Sequence, residues 1–307
     1  MKILYHGDSP AVTTGFGTVA KNLLNGLVRL NPEIEITVLG INDHGGWKDP
    51  NEYPYKIFPA VFTDPKDIMG FKRLINIIQG TDPEIPFDFD SIIFSFDSWL
   101  FANTTIGDYT VIQTVKDLLQ QKEEETGKHV KTILYTPIDN HQILPGWIQT
   151  MQVFDEVIVP SFYGKRIITN HNKELGDRTR VIYNGLDTKN FYPIEKKTRT
   201  IKGIYEFSTE GKFVIGFVGR NSWRKNYFHL IKIFSLFKEK HPDAFLYLHC
   251  QPVSYEHDGI DILELCKYYG LTYSDDYYIP LDHKEGAGIT RHSMNDVYNS
   301  MDVFLST

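Results

Sequence analysis

The sequence predicts an α/β protein made of two Rossmann-like, doubly wound parallel-sheet domains. Three observations lead there. Apolar runs of strand length alternate with helix-period segments almost from end to end. Most of these runs lack strict polar–apolar alternation, the pattern of strands covered on both faces. The chain has 307 residues, enough for two domains of roughly 100–200 each.

Taken in order, "KILY" (2–5) is the first strand, followed by a helical pattern of Val19, Ala20, Leu23, Leu24, Leu27 and Val28. Strand runs then fall at 34–39, 91–96, 131–136, 156–160 and 180–183. The helix beginning near Tyr109 ends at Gly127, a glycine C-cap. Residues 194–212 are charged, weakly patterned and carry two glycines, so they read as a linker. Beyond it "FVIGFVG" (213–219) leads into an apolar helix stopped by Pro242. "AFLYLHC" (244–250), a helix near 260–269, "YYIP", a helix near 293–301 and "DVFLS" (302–306) complete the second alternation. The expected organisation is residues 1–193 as one domain, 194–212 as linker and 213–307 as a second, incomplete one. "DVFLS", apolar on both faces, is expected inside the second sheet with helices on either side.

Composition narrows the function. A net charge of −7 argues against general nucleic-acid coating. Cys250 and Cys266 match neither a zinc-ligand spacing nor a disulfide framework, and Cys250 closes an apolar run as a buried hydrophobe would. The N-terminus reaches Asp8 after too few apolar residues for a signal peptide, and no run approaches the roughly 18 needed to span a bilayer. These features point to a cytoplasmic protein in a reducing compartment.

Three places carry candidate chemistry. In "GFVGRNSWRKN" (216–226) a strand delivers Arg220 at its carboxyl end, where open parallel sheets bind ligands, and Lys225 follows at the start of the next helix. An arginine fork and a mobile lysine charge hold a diphosphate from two sides; a solvated basic loop is the alternative. In the first strand–helix turn, Gly15 and Gly17 let backbone N–H groups approach a phosphate, though the spacing is not G-x-G-x-x-G. Such a turn serves equally as a flexible lead-in capped by Thr14 or Ser9. Past the strand at 131–136, Asp139 and His141 offer acid–base or sugar-binding chemistry, and Asp97 lies at the same sheet edge as an acceptor-side candidate. No histidine or acidic cluster marks a metal site.

Together these segments carry a resemblance. "VIYNGLDTKNFYP", the linker and "IGFVGRNSWRKNYFHLIKIFSLF" resemble the family-four glycosyltransferases of GT-B fold, with their N-G-[VI]-D turn and G-R-x-x-x-x-K motif. "GDSPAVTTGFGTVAKNLL" looks like the family's N-terminal glycine loop, "VIVPSFYGKRII" its strand–serine–helix segment, and "MNDVYNSMDVFLST" the lead-in to its E-G-F-G motif. The resemblance implies two facing domains and a retaining, metal-independent transfer from a UDP-, GDP- or ADP-sugar, with no cofactor, to an unknown acceptor. It puts Arg220 and Lys225 on the donor diphosphate, Gly15 and Gly17 on the loop that closes over it, and Asn184 to Asp187 on the turn before the hinge. Pro280, Leu281 and Asp282 fall near the nucleobase contact, which is largely main-chain. The family's histidine after the fourth strand is replaced by "TPIDNH", leaving Asp139 and His141 as stand-ins. The chain ends before the E-x7-E segment, which reads as a fragment or a truncated form of impaired activity. Peripheral membrane association fits the family. A nucleotide-sugar binding protein without turnover and a GT-B-like sugar-nucleotide epimerase are the rival functions.

Overall fold

The computed structural model describes residues 1–194, 200–201, 207–209, 211–253, 259–281 and 291–306. The chain divides into two compact units, Met1–Gly185 and Leu186–Thr307. Among the described residues no helix is long and apolar enough to cross a membrane.

The first unit holds a seven-stranded sheet, every pairing parallel. From edge to edge the strands are Lys56–Pro59, Glu35–Ile41, Lys2–Asp8, Ser91–Ser95, Lys131–Tyr135, Glu156–Val159 and Arg180–Val181. The chain runs outward from Lys2–Asp8 and then returns to its other side at Ser91–Ser95, so the strand order reverses between those two. Successive side chains point to opposite faces. Accordingly Leu4 and Ile92 join one apolar layer while Ile3, Tyr5 and Ile93 join the other. The helix Gly15–Leu30 covers the second layer with Ala20 and Leu24; Phe71–Gln79 and Val111–Thr126 cover the first.

Sequence periodicity overlooks the edge strand Lys56–Pro59, whose four residues end in proline. The edge is fixed instead by Arg73, buried on the next helix, which donates to Pro59 O at 2.7 Å and pairs with Asp82 and Glu84. The Gly127 C-cap is as expected, with φ 69° and its N–H on Glu123 O.

The second unit repeats the plan on four parallel strands: Tyr277–Tyr278, Ala244–His249, Phe213–Val218 and Val303–Phe304. The order again reverses beside the first strand. Phe217, Leu246 and Leu248 face the helices Tyr227–Lys238 and Ile262–Tyr268, whereas Val214, Phe245 and Tyr247 meet Val297 and Met301. The expectation for "DVFLS" needs correcting. Its strand is only Val303–Phe304, it pairs on one side with Ile215 and Gly216, and both residues are about half exposed. Among the described residues it is a sheet margin, not an interior strand.

Within 194–212 the described residues include a short antiparallel pair, Thr200–Ile201 with Phe207–Ser208. The segment just before it is tied to the second unit. Asn295 Oδ1 accepts from Tyr192 N at 3.0 Å and Asn299 Oδ1 from Ile194 N at 2.8 Å, so two helix side chains hold the backbone. Cys250 and Cys266 are both buried, and burial pushes each thiol up to about 12, so neither is a nucleophile at neutral pH.

Candidate functional site

The loop beyond the carboxyl end of Phe213–Val218 is held by two side chains, Asn221 and Tyr227. Asn221, fully buried, donates to Gln251 O at 3.2 Å and Ile260 O at 2.7 Å, and accepts from Ile260 N. One amide thus ties this loop to the segment beyond the adjacent strand. Tyr227, the first residue of the next helix, packs edge-on against Phe217 and donates to Gly219 O at 2.7 Å. A side-chain carbon at Gly219 would lie 3.1 Å from the Phe217 ring, so the missing side chain lets that ring pack against the loop, while Lys225 Cε, 3.7 Å away, would be in ordinary contact.

Between these anchors Trp223–Lys225 makes one 3₁₀ turn, and Asn226 takes the left-handed conformation (φ 50°) that asparagine tolerates before the helix starts. The result leaves Arg220 and Arg224 exposed and Lys225 half-buried, three cations at the crevice end of the sheet's central reversal. Pro280, buried, and Leu281, exposed, follow the strand Tyr277–Tyr278 at the same end of that sheet. Asp282 lies outside the described residues.

In the first unit the two glycines do different jobs. A Cβ on Gly17 would sit 2.5 Å from Val12 O and 2.8 Å from Ser9 O, so this glycine lets the 9–12 loop fold onto the helix. Gly15 faces open space and is exposed. Thr14 caps the helix, accepting from Gly17 N at 2.9 Å while donating to the Asp8 carboxylate. Burial raises the Asp8 pKa, and the Thr14 and Asn42 hydrogen bonds oppose that rise. Next to it Ser9 donates to the buried Asp43 at 2.6 Å, and Lys48 pairs with Asp43. This end of the first sheet therefore carries two carboxylates, Asp8 and Asp43.

Two sequence candidates meet farther along the same sheet. Asp97 and Asp139 line one cavity of about 360 Å³ at the carboxyl ends of Ser91–Ser95 and Lys131–Tyr135, together with Trp99, Asn103, Asn140 and Trp147. His141 is exposed and not among the residues lining it. Sequence reading missed Asn103 and Trp147, on the short helices Ser98–Asn103 and Pro145–Gln152, and the loop residue Asn221, because nothing in local pattern tells which of these side chains turns inward. Across "NGLD" neither Asn184 nor Gly185 has positive φ, and Asn184 Oδ1 accepts from Tyr135 OH at 2.7 Å.

No known family profile matches the sequence, and no curated protein does. Solved structures do. An α,α-trehalose-phosphate synthase (UDP-forming) from Burkholderia vietnamiensis aligns with TM-score 0.59 and 12% identity, over 100% of this chain and 77% of its own. The E. coli trehalose-6-phosphate structure bound with UDP-2-fluoro glucose aligns with TM-score 0.58 and 13% identity, over 100% and 78%. WaaG, a glycosyltransferase of lipopolysaccharide biosynthesis, aligns with TM-score 0.55 and 9% identity, over 100% and 74%. At these identities the likeness speaks for the fold. Two parallel α/β units in one chain, matched along their whole length by these glycosyltransferases, make this the GT-B fold.

Proposed function

We propose that this chain is a glycosyltransferase that takes a sugar from a UDP-, GDP- or ADP-sugar, with Arg220 and Lys225 holding the diphosphate. The observation that carries this reading is the built loop after Phe213–Val218. Asn221 and Tyr227 fix its backbone from both sides, and it presents its cations where ligands of open parallel sheets bind. A fold shared with glycosyltransferases, one of them in a UDP-2-fluoro glucose complex, supports the same donor class. Fold alone does not fix chemistry, so the charge of this loop matters more than the likeness.

On this reading Arg220 and Lys225 stabilise the departing diphosphate electrostatically, and transfer is metal-independent. Backbone groups at Pro280 and Leu281 contact the base. In the first unit Gly15 is exposed on the first helix turn, and Gly17 shapes the loop beside it. Retention of anomeric configuration rests on the family resemblance alone. Of the two stand-ins, cavity lining favours Asp139 over His141 as the residue that meets a sugar.

Calorimetric titration of UDP, GDP and ADP tests the donor assignment. Arg220→Ala and Lys225→Ala should each weaken the preferred diphosphate about ten- to hundredfold, the loss of one charge-assisted partner worth roughly 1.5–3 kcal/mol. EDTA should leave the affinity unchanged. Unaltered binding in both variants would sink the assignment, and an absolute need for magnesium or manganese would sink the metal-free mechanism.

A further inference from the structure

We propose that His129 is a pH-operated latch on an apolar side pocket of the first unit, spanning its mouth while charged and admitting a small uncharged apolar molecule when neutral. The pocket holds about 270 Å³ and lies between the helix Val111–Thr126 and the chain at 129–132 and 153–155. Ile112, Val115, Leu119, Val130 and Phe154, all buried, form its floor, so the fitting occupant is small and apolar.

The rim is polar and tied. Gly127 turns the chain back at the end of the helix, which brings His129 against Glu123. His129 Nδ1 lies 2.7 Å from Glu123 Oε2, and Nε2 lies 3.3 Å from Asp155 Oδ2. All three residues line the pocket and are exposed, so the ring bridges the mouth from the helix side to the strand side.

Only one protonation state serves both contacts. Imidazolium donates from both nitrogens, whereas neutral imidazole has one N–H and turns a lone pair toward the other carboxylate. Asp155 Oδ2 is held in place by Thr132 N at 2.7 Å and Thr132 Oγ1 at 2.8 Å, so it does not follow the ring. Glu123 keeps the shorter contact. Loss of the proton therefore frees the ring from Asp155 and unties one side of the mouth. Other charges nearby are Lys116 on the helix, Arg178, which donates to Asp155 O at 3.2 Å, and Lys128 and Lys131, engaged by Asp90 and Glu156. The Glu123 hydrogen bond raises the His129 pKa above its ordinary 6.5; partial burial opposes that rise and the Asp155 charge adds to it. The latch is thus complete below the ordinary value and lost as pH rises through the raised one.

The test uses the full chain with ¹³C-labelled isoleucine, leucine and valine methyls, and xenon, which enters dry apolar cavities. The sequentially assigned His129 ring should titrate above 6.5. Xenon shifts of the Ile112, Val115 and Val130 methyls should report tighter binding at about pH 9 than at about pH 6, by roughly threefold or more. Apparent affinity scales with the fraction of molecules whose latch is open. His129→Ala should bind xenon at both pH values as the unaltered chain does at the higher one. His6 titrates near 4 and the buried thiols near 12, outside this window. Equal xenon affinity at both pH values in the unaltered chain overturns the proposal, and this reading needs no variant. So does a pH dependence that survives in His129→Ala, or a ring that titrates at or below its ordinary value.

Discussion

The two units are the same device with opposite electrical endings. Each places its first strand beside the reversal of a parallel sheet, and each follows that strand with a loop and a helix. In the first unit the strand ends in Asp8, bound by the helix cap Thr14, with the buried Ser9–Asp43 pair behind it. In the second the strand leads to Arg220, Arg224 and Lys225 around the Asn221 clamp. Topology places both loops at the carboxyl end of a sheet beside its reversal; the side-chain charge they carry is opposite in sign. The closure of the two loops differs as well. The first is sealed by backbone against backbone at Gly17, the second by the Asn221 amide and the Tyr227 phenol.

That contrast can be broken most forcefully at the glycines. Gly17→Ala drives a methyl into two backbone carbonyls and should cost about 3 kcal/mol of stability in urea unfolding, while Gly219→Ala meets only the Phe217 ring and should cost about 1. Equal losses would mean the two loops are sealed alike. On the binding side, Asp8→Asn should leave diphosphate affinity where it is; a tenfold loss by calorimetry would move the anion site to the first unit.

A pH experiment sharpens the comparison further. His6, on the strand Lys2–Asp8, is fully buried, donates from Nε2 to Met69 O, and burial lowers its pKa to about 4. The unfolded chain takes up this proton at its ordinary value near 6.5, so stability is full above that pH and falls as pH drops toward 4. About 2 kcal/mol should be gone by pH 5. His6→Gln should flatten that dependence in denaturant titrations at pH 7.5 and 5. The matching strand, Phe213–Val218, carries no titratable side chain. The smallest effect belongs to Gly15→Ala, which meets no neighbour within 4 Å and should stabilise the helix by about 0.5–1 kcal/mol in the same assay.

Much of this was legible in the residues. Runs such as "SIIFSF" and "AFLYLHC" are apolar on both faces and sit in the sheets as read. The place of Arg220 just past a strand's carboxyl end was legible because it follows from alternation alone. Lys56–Pro59 was not, since an edge strand held by Arg73 from another element has no pattern of its own. Nor could spacing show that Asp97 and Asp139, on loops after different strands, share a cavity; that follows from Ser91–Ser95 and Lys131–Tyr135 being neighbours. Asn221 reads as one more polar loop residue until its three hydrogen bonds are seen.

The position of Lys2–Asp8 in mid-sheet also bears on biosynthesis. This strand is synthesised before both of its flanking partners, Glu35–Ile41 and, much later in the chain, Ser91–Ser95. At translation speeds of about 5–20 residues per second, seconds pass in which the first strand has at most one partner and its other edge stands open. Parallel pairings between distant segments form slowly for the same entropic reason. During that interval the open edge of "KILYHGD" is the place where a nascent chain is most exposed to mispairing, and where a chaperone would have most to shield.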